Sequence, residues 1–263
     1  MKKIISKIYL AVIFIFLYFP IGVMIFYSFN EPGRKGKVNF NFTGFTLENY
    51  KNLLSNSELI GVVINTLVIA LFAALFASLL GTCAAIGISN LKNRSRKIVL
   101  NISNMPIINP EIVTGVSLML LFVAVTHALG LRLNAVTVLL SHILFDTPYV
   151  ILNVLPRIRR MDPSLYEAAL DLGCKPGVAF RKVVFPEIFP GIFAGFLMAF
   201  TFSIDDFVIS YFTGGNFQTL SVYINNSLKV GPKAWMLSLT GILFIIVLTM
   251  LIVVNLRERD KEK

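Results

Sequence analysis

Charged residues are scarce in this chain: they make up 14% of its 263 residues, where a soluble domain carries about 25%. The scarcity is concentrated. Residues 8–30, 59–91 and 234–256 contain no Asp, Glu, Lys or Arg, and each run exceeds the ~20 residues that an α-helix needs to cross the hydrocarbon core. A soluble core helix keeps a polar face over such a length, so a soluble globular domain is excluded. Cysteine is almost missing. Cys83 lies in an apolar run and Cys174 in a basic segment, which argues against a disulfide framework and reads as two free thiols. No G-x-x-x-x-G-K-[ST] segment occurs, so hydrolysis of ATP through a phosphate-binding loop of this chain is excluded. His127 and His142 do not form H-E-x-x-H, and neither a nucleophile elbow nor metal-ligand spacing is present. Both histidines therefore read as interfacial or packing residues, with no metal site and no intramembrane enzyme expected.

What is abundant is apolar: 56% of residues, 23 of them Phe, with a mean hydropathy of +0.77. Six spans are expected, at about 8–29, 62–89, 105–126, 136–155, 187–212 and 236–256, in an all-α membrane protein forming a single transmembrane domain over 1–263. The first is read as a retained span, because residues 8–29 are too long for the apolar region of a signal peptide. The net charge of +10 does not point to nucleic acid, because the basic residues sit in short segments between spans. Of the 24 Lys and Arg, 17 fall on the side holding both ends and the 90–104 and 156–186 loops, and 7 on the other. By the positive-inside rule both termini are cytoplasmic. Small residues recur every fourth position at Ala73, Ala77, Gly81 and Ala85, and again at Gly191 and Gly195, as close helix contact in lipid requires. Pro20 and Pro148 are expected to kink their spans.

The 156–186 segment is long for a helical hairpin connection and has internal order. Asp162 is a good N-cap with Pro163 at the first helical position. Ser164 to Leu172 then reads as a short helix with Leu165, Ala168, Ala169 and Leu172 on one side, closed by Gly173 in a left-handed C-cap. Pro176 starts a second helix, PGVAFRKVV, expected to end before Pro186. On these residues alone, a short helix presenting small side chains to a partner and an amphipathic segment lying on the membrane surface are both admissible.

Glu167-Ala168-Ala169, three residues, Gly173, nine residues and Val183-Val184-Phe185-Pro186 resemble the EAA loop, EAA-x3-G-x9-I-x-L-P, of ABC importer permeases. Val183 and Phe185 are conservative departures from it. The resemblance implies a type I ABC importer permease fold, with 156–186 as the coupling loop and its short helix docked in a cleft of a separate cytoplasmic ATPase. Ala168 and Ala169 would permit close approach, Glu167 would supply a polar contact, Gly173 the turn, and Pro186 the end of the motif. This chain would bind no cofactor itself; ATP and Mg would belong to the ATPase partner.

Four acids fall inside expected spans: Glu111, Asp146, Asp205 and Asp206. A carboxylate within a span costs at least ~2.5 kcal/mol and raises a functional hypothesis. No Lys or Arg lies within a span to pair with them; Glu111 falls near the middle of its span, Asp146 about ten residues in from the outer face, and Asp205 and Asp206 about seven residues from the outer end of theirs. A path accepting a cation is the reading, with Tyr149, Phe202, Phe207 and Tyr211 placed to add cation–π contacts. Local alternatives exist. Glu111, after Pro110, also fits a helix start beside a break, and Asp146, before Thr147-Pro148, also fits the cap of a broken helix. Successive helical residues point ~100° apart, so one of Asp205 and Asp206 can face the path while the other caps a neighbour.

Further segments are similar to the second permease subunit of spermidine/putrescine importers: Tyr27-Ser28-Phe29-Asn30, GFTLENY at 44–50, MPIINPEIVTGVSLMLLF at 105–122, FTFSIDDFVISYFTGG at 200–215 and Lys229-Val230-Gly231. The resemblance implies polyamine import across a bacterial cytoplasmic (inner) membrane. The implied partners are a homologous second permease subunit, two copies of the ATPase and an external substrate-binding protein. Ferric ion, an amino-acid derivative or another small organic cation are rival cargoes. An ion-coupled secondary transporter using the membrane acids as a proton relay is the rival from another class.

Overall fold

The computed structural model describes residues 2–128 and 130–261. In chain order its helices are α1 (Lys2–Ser28), α2 (Glu48–Ser55), α3 (Ser57–Ser89), α4 (Asn93–Ser103), α5 (Met105–Ile108), α6 (Glu111–Ala128) and α7 (Ala135–Arg160). These are followed by α8 (Pro163–Asp171), α9 (Pro176–Ala179), α10 (Phe185–Asp205), α11 (Val208–Thr213), α12 (Leu220–Val230) and α13 (Ala234–Lys261). Among the described residues no strand forms; the extended pairings are two isolated bridges, Asn30 with Phe45 and Lys37 with Lys233. An all-helical chain is what lipid demands, since each backbone polar group must be satisfied within its own segment.

Helices α1, α3, α6, α7 and α10 are long and apolar enough to cross a membrane, and α13 extends over 28 residues, apolar through Ala234–Ile246. The six expected spans are therefore present, with shifted ends. The third begins at Glu111 rather than 105, because Asn109-Pro110 breaks the chain after the single turn of α5. The fifth stops at Asp205: Asp206 is extended, and the chain re-enters a helix only at Val208. Three intervening stretches expected as loops contain the short helices α2, α4 and α12.

The chain divides into two compact units, one of residues up to Gly61 and from Ile224 onward, the other Val62–Tyr223. In the first, α13 packs on α1 and α2, and Tyr50 of α2 shares a 2.7 Å hydrogen bond with Ser28 at the end of α1. The connection after α1 is tied by Asn30, 1% exposed. Its Nδ2 donates to the carbonyls of Asn39 and Asn41 at 2.9 and 2.8 Å, and its Oδ1 accepts from Thr43 N at 2.9 Å. Phe40 and Phe45 stay largely exposed on this loop, with Phe45 and Phe42 in ring contact with Phe26 of α1.

The core of the second unit is built where α3, α7 and α10 meet, from small and β-branched side chains including Ala77, Ala85, Val150, Val154 and Ala199. Val150 is held between two glycines. A Cβ on Gly81 would lie 2.6 Å from Val150 Cβ, and one on Gly195 would lie 3.1 Å from Val150 Cα. One turn away from Gly195, a Cβ on Gly191 would meet Arg157 Cγ at 2.8 Å. The small-residue stripes thus mark backbone approach, as packing in lipid favours. Pro148 and Pro156 lie inside α7 without interrupting it. Close to Pro148, Thr147 Oγ1 donates to Ile143 O at 2.6 Å and Asn153 Nδ2 to Tyr149 O at 2.8 Å.

Candidate functional site

The α7–α8–α9 segment folds as local chemistry dictates. Asp162 Oδ1 accepts from Ser164 N at 3.0 Å, capping α8 behind Pro163, and this hydrogen bond from the Ser164 backbone holds the Asp162 carboxyl below its usual value of 3.8. At the other end Gly173, with φ +82°, reverses the chain. Cys174 N donates to Ala169 O at 3.1 Å and Gly173 N to Leu170 O at 2.8 Å, the paired bonds of a Schellman cap. The helix PGVAFRKVV does not end before Pro186 as expected. It passes through a π-helical segment, Phe180–Val184, directly into α10, whose first turn holds Pro186. Proline has no N–H to continue the ladder, and a one-turn π segment widens the helix ahead of it. The helix that begins at Pro176 is therefore continuous with the fifth span.

Glu167 and Ala168 are exposed, and Ala169 is half-buried. Leu165 and Leu172 stand out at 51% and 86% exposure, an apolar face left open by the described residues. Beside Glu167 lies a groove of about 360 Å³ lined by Ser89 and Asn90 at the end of α3, Ile158 and Met161 at the end of α7, and Tyr166 and Phe180.

The acids separate into distinct environments. A cavity of about 130 Å³ is lined by Glu111, Phe145, Phe202, Asp205, Asp206 and Phe207. Glu111 and Asp205 are exposed. Glu111 sits in the first turn of α6, next to the Asn109-Pro110 break and not in mid-span. The ring of Tyr149 packs 4.5 Å from Phe202 and 5.5 Å from Phe145, backing the aromatic wall. Tyr211 of α11 lies 5.4 Å from Phe207. Asp146 is fully enclosed, with no hydrogen-bond partner on either carboxyl oxygen among the described residues. It caps no broken helix, because α7 runs straight through Pro148.

Asp206 has a different role from its neighbour. Its oxygens accept from Ile209 N at 3.2 Å and Ser210 N at 2.8 Å, capping α11, and Oδ2 lies 3.3 Å from His142 Nε2. Sequence reasoning counted only Lys and Arg as partners and assigned His142 to packing. The histidine is instead the polar centre joining α7 to the α10–α11 break. The available signal was its place one turn before Asp146, on the buried side of an amphipathic span.

The helical spans, the broken fifth helix and the α8–α9 segment lie in a chain whose class is given by its family. Residues 77–258 match the family described as binding-protein-dependent transport system inner membrane component, and the chain belongs to that family: it is a multi-pass inner-membrane transport permease subunit. It is 34% identical to the spermidine/putrescine transport system permease protein PotC of Escherichia coli strain K12, over 97% of this chain and 94% of the relative. With the putrescine transport system permease protein PotI of the same strain it shares 36% identity, over 83% of this chain and 78% of the relative. A bacterial ABC transporter involved in import of the acidic polysaccharide alginate has a similar fold, with a TM-score of 0.69 at 15% identity over 98% of this chain and 95% of that one. The structure of an alginate transporter with its periplasmic protein agrees, with a TM-score of 0.68 at 18% identity over 96% and 91%. These likenesses concern the fold.

Proposed function

We propose that this subunit forms half of the membrane path of a polyamine importer, moving spermidine or putrescine inward. The carrying observation is the cavity in which the exposed carboxyls of Glu111 and Asp205 stand beside the rings of Phe145, Phe202 and Phe207. Carboxylates supply charge for an ammonium, and aromatic faces attract it further within ~6 Å. Tyr149 and Tyr211 extend the aromatic lining, Asp206 forms part of the wall, and Asp146 is an enclosed carboxyl that cargo reaches only when the helices rearrange. Relatives named for spermidine and putrescine transport support the same cargo.

Transport would need a homologous second permease, two copies of a cytoplasmic ATPase carrying ATP and Mg, and an external binding protein. The excess of basic residues on one side supports placing both termini and the coupling loop in the cytoplasm. There the exposed Leu165, Ala168 and Leu172 face would enter the ATPase, with Glu167 at its edge and Gly173 and Pro186 fixing the geometry. Because α9 continues into α10, ATPase closure would move the fifth span as a rigid body. The 30–61 loop, with exposed Phe40, Phe42 and Phe45 anchored near Tyr50, would meet the binding protein. Uptake that survives deletion of residues 38–45 would count against that contact.

The decisive experiment co-expresses the chain with its partner permease, ATPase and binding protein and measures ATP hydrolysis and uptake in liposomes. Spermidine, putrescine, ferric ion and glycine betaine are compared, with Glu167→Ala as the coupling control. Stimulation by polyamines alone, abolished in the variant, is expected; stimulation by another compound would discard the polyamine.

A further inference from the structure

The ring of His142 is 2% exposed, yet it reaches three residues spread across the break in the fifth span. Nδ1 lies 2.6 Å from Ser203 Oγ in α10, and Nε2 lies 2.9 Å from Ser210 Oγ in α11 and 3.3 Å from Asp206 Oδ2 between them. A packing histidine needs one partner per nitrogen; this one is fastened to both sides of a discontinuity and to its middle. The break has other ties as well: α11 packs closely on α6, where a Cβ on Gly115 would lie 3.1 Å from Phe212 Cδ2. Asp206 N still donates to Phe202 O at 2.9 Å, and α11 is held to the start of α7 by Thr137 Oγ1 donating to Thr213 O at 2.7 Å.

The consequence falls on the neighbouring acid. Both carboxyls border the cavity, but Asp206 is turned toward His142 and the amides of Ile209 and Ser210 and its side chain is only 5% exposed, whereas Asp205 is exposed. Two adjacent carboxyls are thus sorted into one that is engaged by His142 and the α11 amides and one that is presented. We propose that His142 is a positioning residue for substrate recognition. It pins the α10–α11 break so that Asp206 faces inward and Asp205, opposite Glu111, is the member of the pair that meets the cationic cargo. This rests on the polyamine-path reading above.

The test uses the assembled transporter in liposomes with spermidine and putrescine as probes, comparing His142→Ala, His142→Gln, Asp205→Asn, Asp206→Ala and the His142→Ala/Asp206→Ala double variant. His142→Ala is expected to raise KM for uptake about tenfold, with most of the effect in KM rather than kcat. His142→Gln, whose amide donates and accepts, should recover a large part of it. The double variant should be no worse than Asp206→Ala alone, because the two side chains act as a unit. An unchanged KM in His142→Ala beside a raised KM in Asp205→Asn overturns the positioning role and leaves the cavity reading intact. An unchanged KM in Asp205→Asn overturns the cavity reading itself. If His142→Ala does not assemble, Ser203→Ala and Ser210→Ala remove single contacts without removing the ring. Each is expected to raise KM severalfold, and an unchanged KM in both overturns the proposal.

Discussion

Gly81→Ala is expected to destabilise this subunit by about 2 kcal/mol, within the range of ~1–3 kcal/mol usual for overpacking. The added Cβ would lie 2.6 Å from Val150 Cβ, 2.7 Å from its Cγ1 and 3.1 Å from Thr147 O. Carbon atoms settle at ~3.5–4.0 Å, so α3 and α7 must part by about 1 Å at this point. Val150 has no room to retreat, because Gly195 of α10 sits against its far side. The assay is reversible denaturant unfolding of the purified assembly in mixed micelles, where 2 kcal/mol is roughly a thirtyfold change in the equilibrium. The geometry also says which second change relieves the clash. The nearest atom is the Cβ of Val150, so Val150→Ala leaves the collision in place and Val150→Gly removes it. Gly81→Ala should therefore cost nearly its full amount in the Val150→Ala background and under about 0.5 kcal/mol in the Val150→Gly background. Equal costs in both backgrounds, or none in the wild type, would refute the close contact.

Asn30→Ala strips partners from the carbonyls of Asn39 and Asn41 and from Thr43 N, at about 3 kcal/mol for several lost bonds; proteolysis within 31–46 should accelerate. Asn30→Asp should rescue nothing, since a carboxylate keeps the acceptor but sets a negative charge against the two carbonyls. Asp162 accepts the Ser164 amide and so has a lowered pKa; its contribution to α8 is complete above its ordinary value of 3.8 and is lost as pH falls through the lowered one. The protection factor of the Ser164 amide should accordingly fall in acid, be lowered roughly fivefold by Asp162→Ala at neutral pH, and stay nearly unchanged in Asp162→Asn, which retains the acceptor. Asp146→Asn is expected to lower maximal polyamine uptake with little change in KM, since the carboxyl is enclosed at rest; a KM rise equal to that of Asp205→Asn would place it on the cavity surface instead.

The spans were legible because the bilayer imposes a length and forbids charge within it, and both constraints act residue by residue along the chain. The caps of α8 were legible for the same reason: Asp162-Pro163 and Gly173 act within a few residues of themselves. Glycine spacing announced close packing but not its partner, and only the folded unit shows Val150 held between Gly81 and Gly195. Near Pro186 local rules misled, because a proline that ends an isolated helix can be absorbed by a π segment when the surrounding packing keeps the chain helical. The acids show the boundary most plainly. Their number follows from the sequence, but position along an expected span misplaced Glu111, which stands in the first turn of α6 after the Asn109-Pro110 break. Which of them meets open space depends on side chains brought together from 61 and 68 residues away, at Ser203 and Ser210 around His142. A separation of that size leaves no periodic trace in a sequence, so tertiary structure alone made Asp206 a buried cap and left Asp205 facing the cavity.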